Sequence, residues 1–178
     1  MSEPTKLDIR QLVTDHHESV YRYAYRLTGA TADAEDLSQQ VFLIAQTKLE
    51  QLREVGAARS WLFTILRSCF SKSLRRRQPV PASSMEMNVD EIAEEMPLDG
   101  PLDEELLQAA LNQLPEEFRL VLLMFYYEDC SYREIADRLG IAIGTVMSRL
   151  SRGKGYLRCR LLESEYQDAS AGESKLNP

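Results

Sequence analysis

Two stretches of the chain carry cations with no acid among them, a composition suited to contact with nucleic-acid phosphates. From Arg59 to Gln78 there are six: Arg59, Arg67, Lys72, Arg75, Arg76 and Arg77. From Arg138 to Leu162 there are six more: Arg138, Arg149, Arg152, Lys154, Arg158 and Arg160. In the first stretch the cations stand beside Trp61 and Phe70, and aromatic rings next to positive charge suit unstacked bases on a phosphate backbone. Bond-breaking chemistry is poorly provided for. His16 and His17 are adjacent, hence about 100° apart on a helix, a poor geometry for a shared metal. Gly153-Lys154-Gly155 lacks the upstream glycine and following Ser/Thr of a phosphate loop. Cys69, Cys130 and Cys159 are widely separated without a Cys-x-x-Cys pair, which predicts reduced thiols rather than a disulfide framework or zinc site. The residues point to binding, with no enzyme activity, cofactor or metal expected.

The elements that must position these residues are helical. Val20, Tyr21, Ala24, Tyr25 and Leu27 recur near helical spacing, and Gly29 ends the run. A second helix is expected from Thr31 as N-cap, with Asp33, Glu35 and Asp36 in its first turn. Its apolar stripe is Ala34, Leu37, Val41, Ile44 and Ala45. Asp36, Gln39, Gln40 and Phe42 lie largely off that stripe; the off-stripe ring of Phe42 points either to a partner surface or to packing on a neighbouring helix. A third helical run, Ala57 to Arg77, turns Trp61, Leu62, Ile65, Leu66, Cys69 and Phe70 to the core and leaves Arg67, Lys72 and Arg75 to Arg77 beyond or beside it.

Farther on, Pro115 with Glu116 and Glu117 reads as a helix start, followed by a stripe of Phe118, Val121, Leu122 and Phe125. Ser131-Tyr132-Arg133-Glu134 is a capping box, Gly140 a left-handed C-cap, and a last helix is expected from Thr145, burying Val146, Leu150 and Leu157. A helix, a tight Gly-containing turn and a second helix rich in Ser and Arg form the helix-turn-helix pattern. Free amides at Thr145 would suit a phosphate.

The formal net charge of −7 over 178 residues argues against a nucleic-acid binder only when taken whole. Residues 1–78 hold 12 Lys/Arg against 9 Asp/Glu, residues 79–117 hold none against 11, and residues 118–178 hold 9 against 8. The acid is concentrated where Pro79, Pro81, Pro97, Gly100 and Pro101 disfavour regular helix. The expected architecture is all-α: two small helical domains, 1–78 and 105–162, an acidic flexible linker at 79–104 and a disordered tail at 163–178. Such a linker would compete with DNA for the basic helices. The N-terminal residues show no secretory pattern, and no apolar run approaches the roughly 20 residues of a spanning helix, so a cytoplasmic protein without membrane insertion is expected.

On particular residues the chain resembles an extracytoplasmic-function sigma factor, the minimal two-domain class of bacterial transcription initiation factor. The matching segments are Tyr25-Arg26-Leu27-Thr28-Gly29, Asp33-Ala34-Glu35-Asp36-Leu37-Ser38-Gln39, Trp61-Leu62-Phe63-Thr64-Ile65, Leu114-Pro115 with Arg119, Ser131-Tyr132-Arg133-Glu134-Ile135-Ala136, and Gly144-Thr145-Val146 with Ser148-Arg149-Leu150. The resemblance implies a sigma region 2 helical bundle and a region 4 helix-turn-helix. It implies that Asp36, Gln39, Gln40 and Phe42 bind core RNA polymerase. Arg59, Trp61, Arg67, Ser68, Lys72, Arg75, Arg76 and Arg77 would serve minus-ten promoter DNA. Tyr132, Arg133, Thr145, Met147, Ser148, Arg149, Ser151, Arg152 and Lys154 would serve the minus-thirty-five element, and an anti-sigma factor is an implied partner. Three positions depart from the family's usual residues: Gln40 for Glu, Ser68 for Asn, and Met147 for Lys or Arg. The rival reading is a stand-alone helix-turn-helix regulator, which would leave the Asp36 face and the Trp61 run without a role.

Overall fold

Asp8 opens the first helix by accepting a hydrogen bond from the Arg10 backbone N–H at 3.2 Å, satisfying one of the amides that a helix start leaves open. The computed structural model describes residues 8–76 and 104–173, with side chains at 8–73 and 104–162. The described helices fall into two compact units.

The first unit holds α1 (Ile9–Thr28), α2 (Thr31–Thr47) and α3 (Ala58–Arg76), with short 3-10 turns at Leu49–Gln51 and Val55–Ala57. Gly29 ends α1 as expected, its N–H reaching the Tyr25 carbonyl at 2.8 Å. The N-cap of α2 is Ala30 rather than Thr31; Thr31 is already helical, and the cap has no side-chain hydrogen bond. Each of the three helices packs on the other two. Tyr23, Val20, Ala24, Leu27, Leu62 and Leu66 form a fully enclosed centre. Phe63, outside the expected α3 stripe, is also buried. Its ring meets Tyr23 edge-on at 4.8 Å and 72°, a favourable aromatic arrangement, and contact with both α1 and α2 widens the apolar arc of α3.

The second unit holds α4 (Glu104–Gln113), α5 (Glu116–Tyr126), α6 (Tyr132–Leu139) and α7 (Ile143–Glu173). Glu104, assigned from sequence to the linker, belongs to α4; the rest of that linker lies outside the described residues. Pro115 is the N-cap of α5, one place before the expected first turn. Its carbonyl accepts from the Phe118 and Arg119 amides. The α5 helix is buried continuously from Phe118 to Met124, a wider surface than the expected single stripe, because it packs on α6 and α7.

The α6–α7 turn follows the sequence expectation closely. Both halves of the Ser131/Glu134 capping box are formed. Gly140 adopts φ 65°, a conformation that costs other residues because of Cβ clash. Helix α7 starts two residues before the expected Thr145. The Thr145 N–H donates to the Ala142 carbonyl at 2.9 Å, so it is not the open amide the sequence reading assigned to a phosphate. Val146 and Leu150 are buried as expected, whereas Leu157 is half-buried. The helix continues to Glu173, so residues 163–173, expected to be disordered, are helical: Glu, Gln and Ala dominate there and no proline interrupts them.

Gly153 sets how closely α7 approaches α5. A Cβ at this position would lie 2.8 Å from Leu122 Cδ1 and 3.2 Å from its Cγ, and Leu122 is itself buried. Gly153→Ala gains about 1 kcal/mol of helix propensity but overpacks a filled site at a cost of about 1–3 kcal/mol. The expected result is a net loss of roughly 1 kcal/mol, read as a lower Tm of the second unit in a thermal melt. An unchanged or raised Tm would mean that Leu122 moves aside freely.

Candidate nucleic-acid interface

The outer surface of α7 is built by turning Val146, Leu150 and Gly153 inward. The helical period then carries Ser148, Ser151 and Arg152 to the opposite side, and all three are exposed. Met147 and Lys154 lie one helical face apart from that line and are also exposed, while Thr145 is half-buried. From α6, Arg133 is exposed and Tyr132 is 36% exposed, the Tyr132 ring lying 5.3 Å from that of Phe125.

Arg149 departs from the expected set. Its Nη2 is 2.6 Å from Glu117 Oε2 on α5, so its charge ties two helices together. Arg138 is also engaged locally: its Nη1 lies 2.9 Å from Cys130 Sγ and 3.6 Å from Glu128, and its Nη2 lies 3.7 Å from Glu134. The Ser131 backbone N–H, then its hydroxyl, hold the Glu134 carboxyl below its usual pKa, with Arg138 adding to the effect. An acid-free stretch of sequence therefore does not give six displayed cations, because the compensating carboxylates arrive from elsewhere in the unit. Among the described residues, Arg133, Arg152 and Lys154 remain as exposed positive groups without an ion pair.

On α3, Trp61, Ser68 and Lys72 share one face at i, i+7 and i+11, with Thr64 between them. Trp61 is half-buried and the other three are exposed, giving a strip that combines a ring, two hydroxyls and a cation. Arg59 is exposed, its guanidinium 5.1 Å above the Phe63 ring. Arg67 is not beside the core but within it: it is buried and donates from Nη2 to Thr64 Oγ1 at 3.0 Å. Arg75 and Arg76 lie in the last turn of α3, where only the backbone is described, and Arg77 lies outside the described residues.

A different kind of surface faces outward from α2. Asp36, Gln39 and Gln40 are exposed, and Leu43, 64% exposed, completes the i, i+3, i+4, i+7 set. Phe42 is half-buried instead, its ring stacked 6.2 Å from His17 at 18°. Packing on the neighbouring helix, the alternative weighed for Phe42, is what the structure contains. The apolar member of the outward strip is Leu43, which sequence reasoning missed although its i+7 relation to Asp36 was legible. Polar groups around one large exposed aliphatic side chain form the composition of a protein contact. Among the described residues no helix is long and apolar enough to cross a membrane.

Residues 12–80 match the Sigma-70 region 2 family and residues 104–170 match Sigma-70, region 4. The chain is 37% identical over 158 residues to the ECF RNA polymerase sigma factor SigL of Mycobacterium tuberculosis, covering 87% of this chain and 89% of that one. It is 36% identical over 170 residues to the ECF RNA polymerase sigma factor SigE of Mycolicibacterium smegmatis, covering 90% of this chain but 64% of that relative's length. Among solved structures it is similar to the sigma factor RpoE in a co-crystal with the anti-sigma factor NepR from Bartonella quintana. The TM-score is 0.63 at 28% identity, over 88% of this chain and 97% of that one.

Proposed function

The chain belongs to the ECF RNA polymerase sigma factors, and from that premise we propose that it binds core RNA polymerase and directs initiation at promoters carrying its own minus-ten and minus-thirty-five elements. The α2 strip of Asp36, Gln39, Gln40 and Leu43 serves polymerase, with Phe42 supporting it through His17. Arg59, Trp61, Ser68 and Lys72 serve minus-ten DNA, and Arg75 to Arg77 continue that basic run. Arg133, Ser148, Ser151, Arg152 and Lys154 on α6 and α7 serve minus-thirty-five DNA, with Tyr132, Thr145 and Met147 at the edges of that surface. The protein acts in the cytoplasm as a binding factor without chemistry of its own. An anti-sigma factor holds it inactive, a reading supported by its similarity to RpoE, which was solved with NepR bound.

The observation that carries this reading over a stand-alone DNA-binding regulator is the outward α2 strip, which lies in the unit that does not contain the helix-turn-helix and which such a regulator would not use. Gel filtration with core polymerase tests it. The full chain is expected to co-elute, and Leu43→Ala to weaken association roughly tenfold, the scale of a central apolar anchor, with an unchanged melting curve because Leu43 packs against little. Failure to co-elute, together with tight binding of duplex DNA by the free chain, would replace the sigma reading with the regulator.

A further inference from the structure

Helix α7 begins with two apolar side chains that its core does not use. Ile143 is 48% and Met147 is 52% exposed, and their i, i+4 spacing stacks them one turn apart on a single side of the helix. A single exposed aliphatic residue needs no explanation. Two in register within the first two turns of the second helix of a helix-turn-helix stand where such a helix meets base edges. The chemistry that apolar side chains recognise in the major groove is the C5-methyl of thymine, the one apolar feature that base pairs display there.

We propose that Ile143 and Met147 specify thymine in the minus-thirty-five element by covering its methyl group; the inference rests on the minus-thirty-five reading of α7 given above. Charge favours DNA over a protein as the occupant. Residues 138–162 contain no acid, and the pair is flanked along the helix by the exposed hydroxyls of Ser148 and Ser151 and the exposed cations Arg152 and Lys154. The two kinds of residue divide the work: cations supply attraction common to all sequences, whereas the apolar pair adds energy only where a methyl group is present.

The test uses the full chain assembled with core polymerase and a duplex library randomised across the minus-thirty-five hexamer. The wild-type complex is expected to enrich thymine at one or two positions. Replacing that thymine with deoxyuridine, which removes only the methyl, is expected to weaken binding about fourfold, the effect of one buried methyl-sized group. Ile143→Ala and Met147→Ala are expected to lose the thymine preference and to bind the thymine and deoxyuridine duplexes equally. Both positions are exposed, so the fold is expected to persist, checked by an unchanged thermal melt. Absence of thymine enrichment, or a uracil penalty that both variants retain, overturns the proposal. The second result, paired with loss of a protein complex in the variants, assigns the pair to a protein partner. If the wild-type complex forms but shows no dependence on the hexamer, the minus-thirty-five reading of α7 fails as well, which separates that failure from the loss of thymine preference alone.

Discussion

Replacing Arg119 with Met is expected to lower the stability of the second unit by roughly 3 kcal/mol, since charge-assisted hydrogen bonds contribute about 1.5–3 kcal/mol each and desolvation of the guanidinium offsets part of that. Arg119 is buried on α5, and its Nη2 donates to the carbonyls of Asn112 and Leu114, each at 3.0 Å. These carbonyls lie at the end of α4 and in the turn after it, where a helix leaves acceptors open and favours positive charge. Burial pulls the arginine pKa down, and Glu116 opposes that shift; the group remains charged. Met nearly preserves the volume while leaving the two carbonyls without their donor. With about 4–8 °C of Tm per kcal/mol in a unit of this size, calorimetry should show a fall of ten degrees or more in the transition of the second unit and none in the first. An unchanged transition would mean that water serves the carbonyls equally well.

The sequence already contained Leu114, Pro115 and Arg119 as a marker of resemblance, without revealing that the arginine is a strut between two helices. What was legible throughout was local. Gly29, the Ser131/Glu134 box and Gly140 form where they were expected because their hydrogen bonds close within a few residues. Helical periodicity likewise assigned most inward faces, since the angle between two side chains on one helix is fixed by their spacing. The same rule locates Leu43 between Gln39 and Asp36 around the helix, opposite the core; the attraction of an aromatic ring drew attention to Phe42 instead.

Contacts between helices were not legible. Whether Arg67 points outward depends on how much room α1 and α2 leave beside α3, and nothing in the spacing of α3 residues encodes that. Continuous burial of α5 from Phe118 to Met124 follows from its packing on both α6 and α7, whereas an amphipathic pattern assumes a single buried side. The helical run to Glu173 was obscured for a different reason: a polar, Ser- and Ala-containing composition is common to tails and to exposed helices, and only attachment to the preceding turns of α7 distinguishes them.

Charge shows the same division, and it separates two arginines that sequence reading had joined. Arg152→Ala, removing an exposed cation from the outer surface of α7, is expected to weaken minus-thirty-five binding by the complex with core polymerase by about 1–3 kcal/mol at a base contact while leaving thermal stability unchanged. Arg149→Ala is expected to act in the opposite order. Its ion pair with Glu117 is partly shielded, at 23% and 34% side-chain exposure, and joins residues 32 apart in sequence, so its loss should cost about 1 kcal/mol of stability and less binding than Arg152→Ala. Glu117→Gln distinguishes a tie from a DNA contact. If Arg149 serves α5, Glu117→Gln lowers stability by a similar amount, and the double variant loses little more than either single one, the signature of coupled partners. If Arg149 instead reads DNA, Glu117→Gln frees it and strengthens promoter binding. Equal binding losses for Arg149→Ala and Arg152→Ala, with unchanged melting in both, would return Arg149 to the DNA surface; the 2.6 Å contact with Glu117 predicts the coupled result.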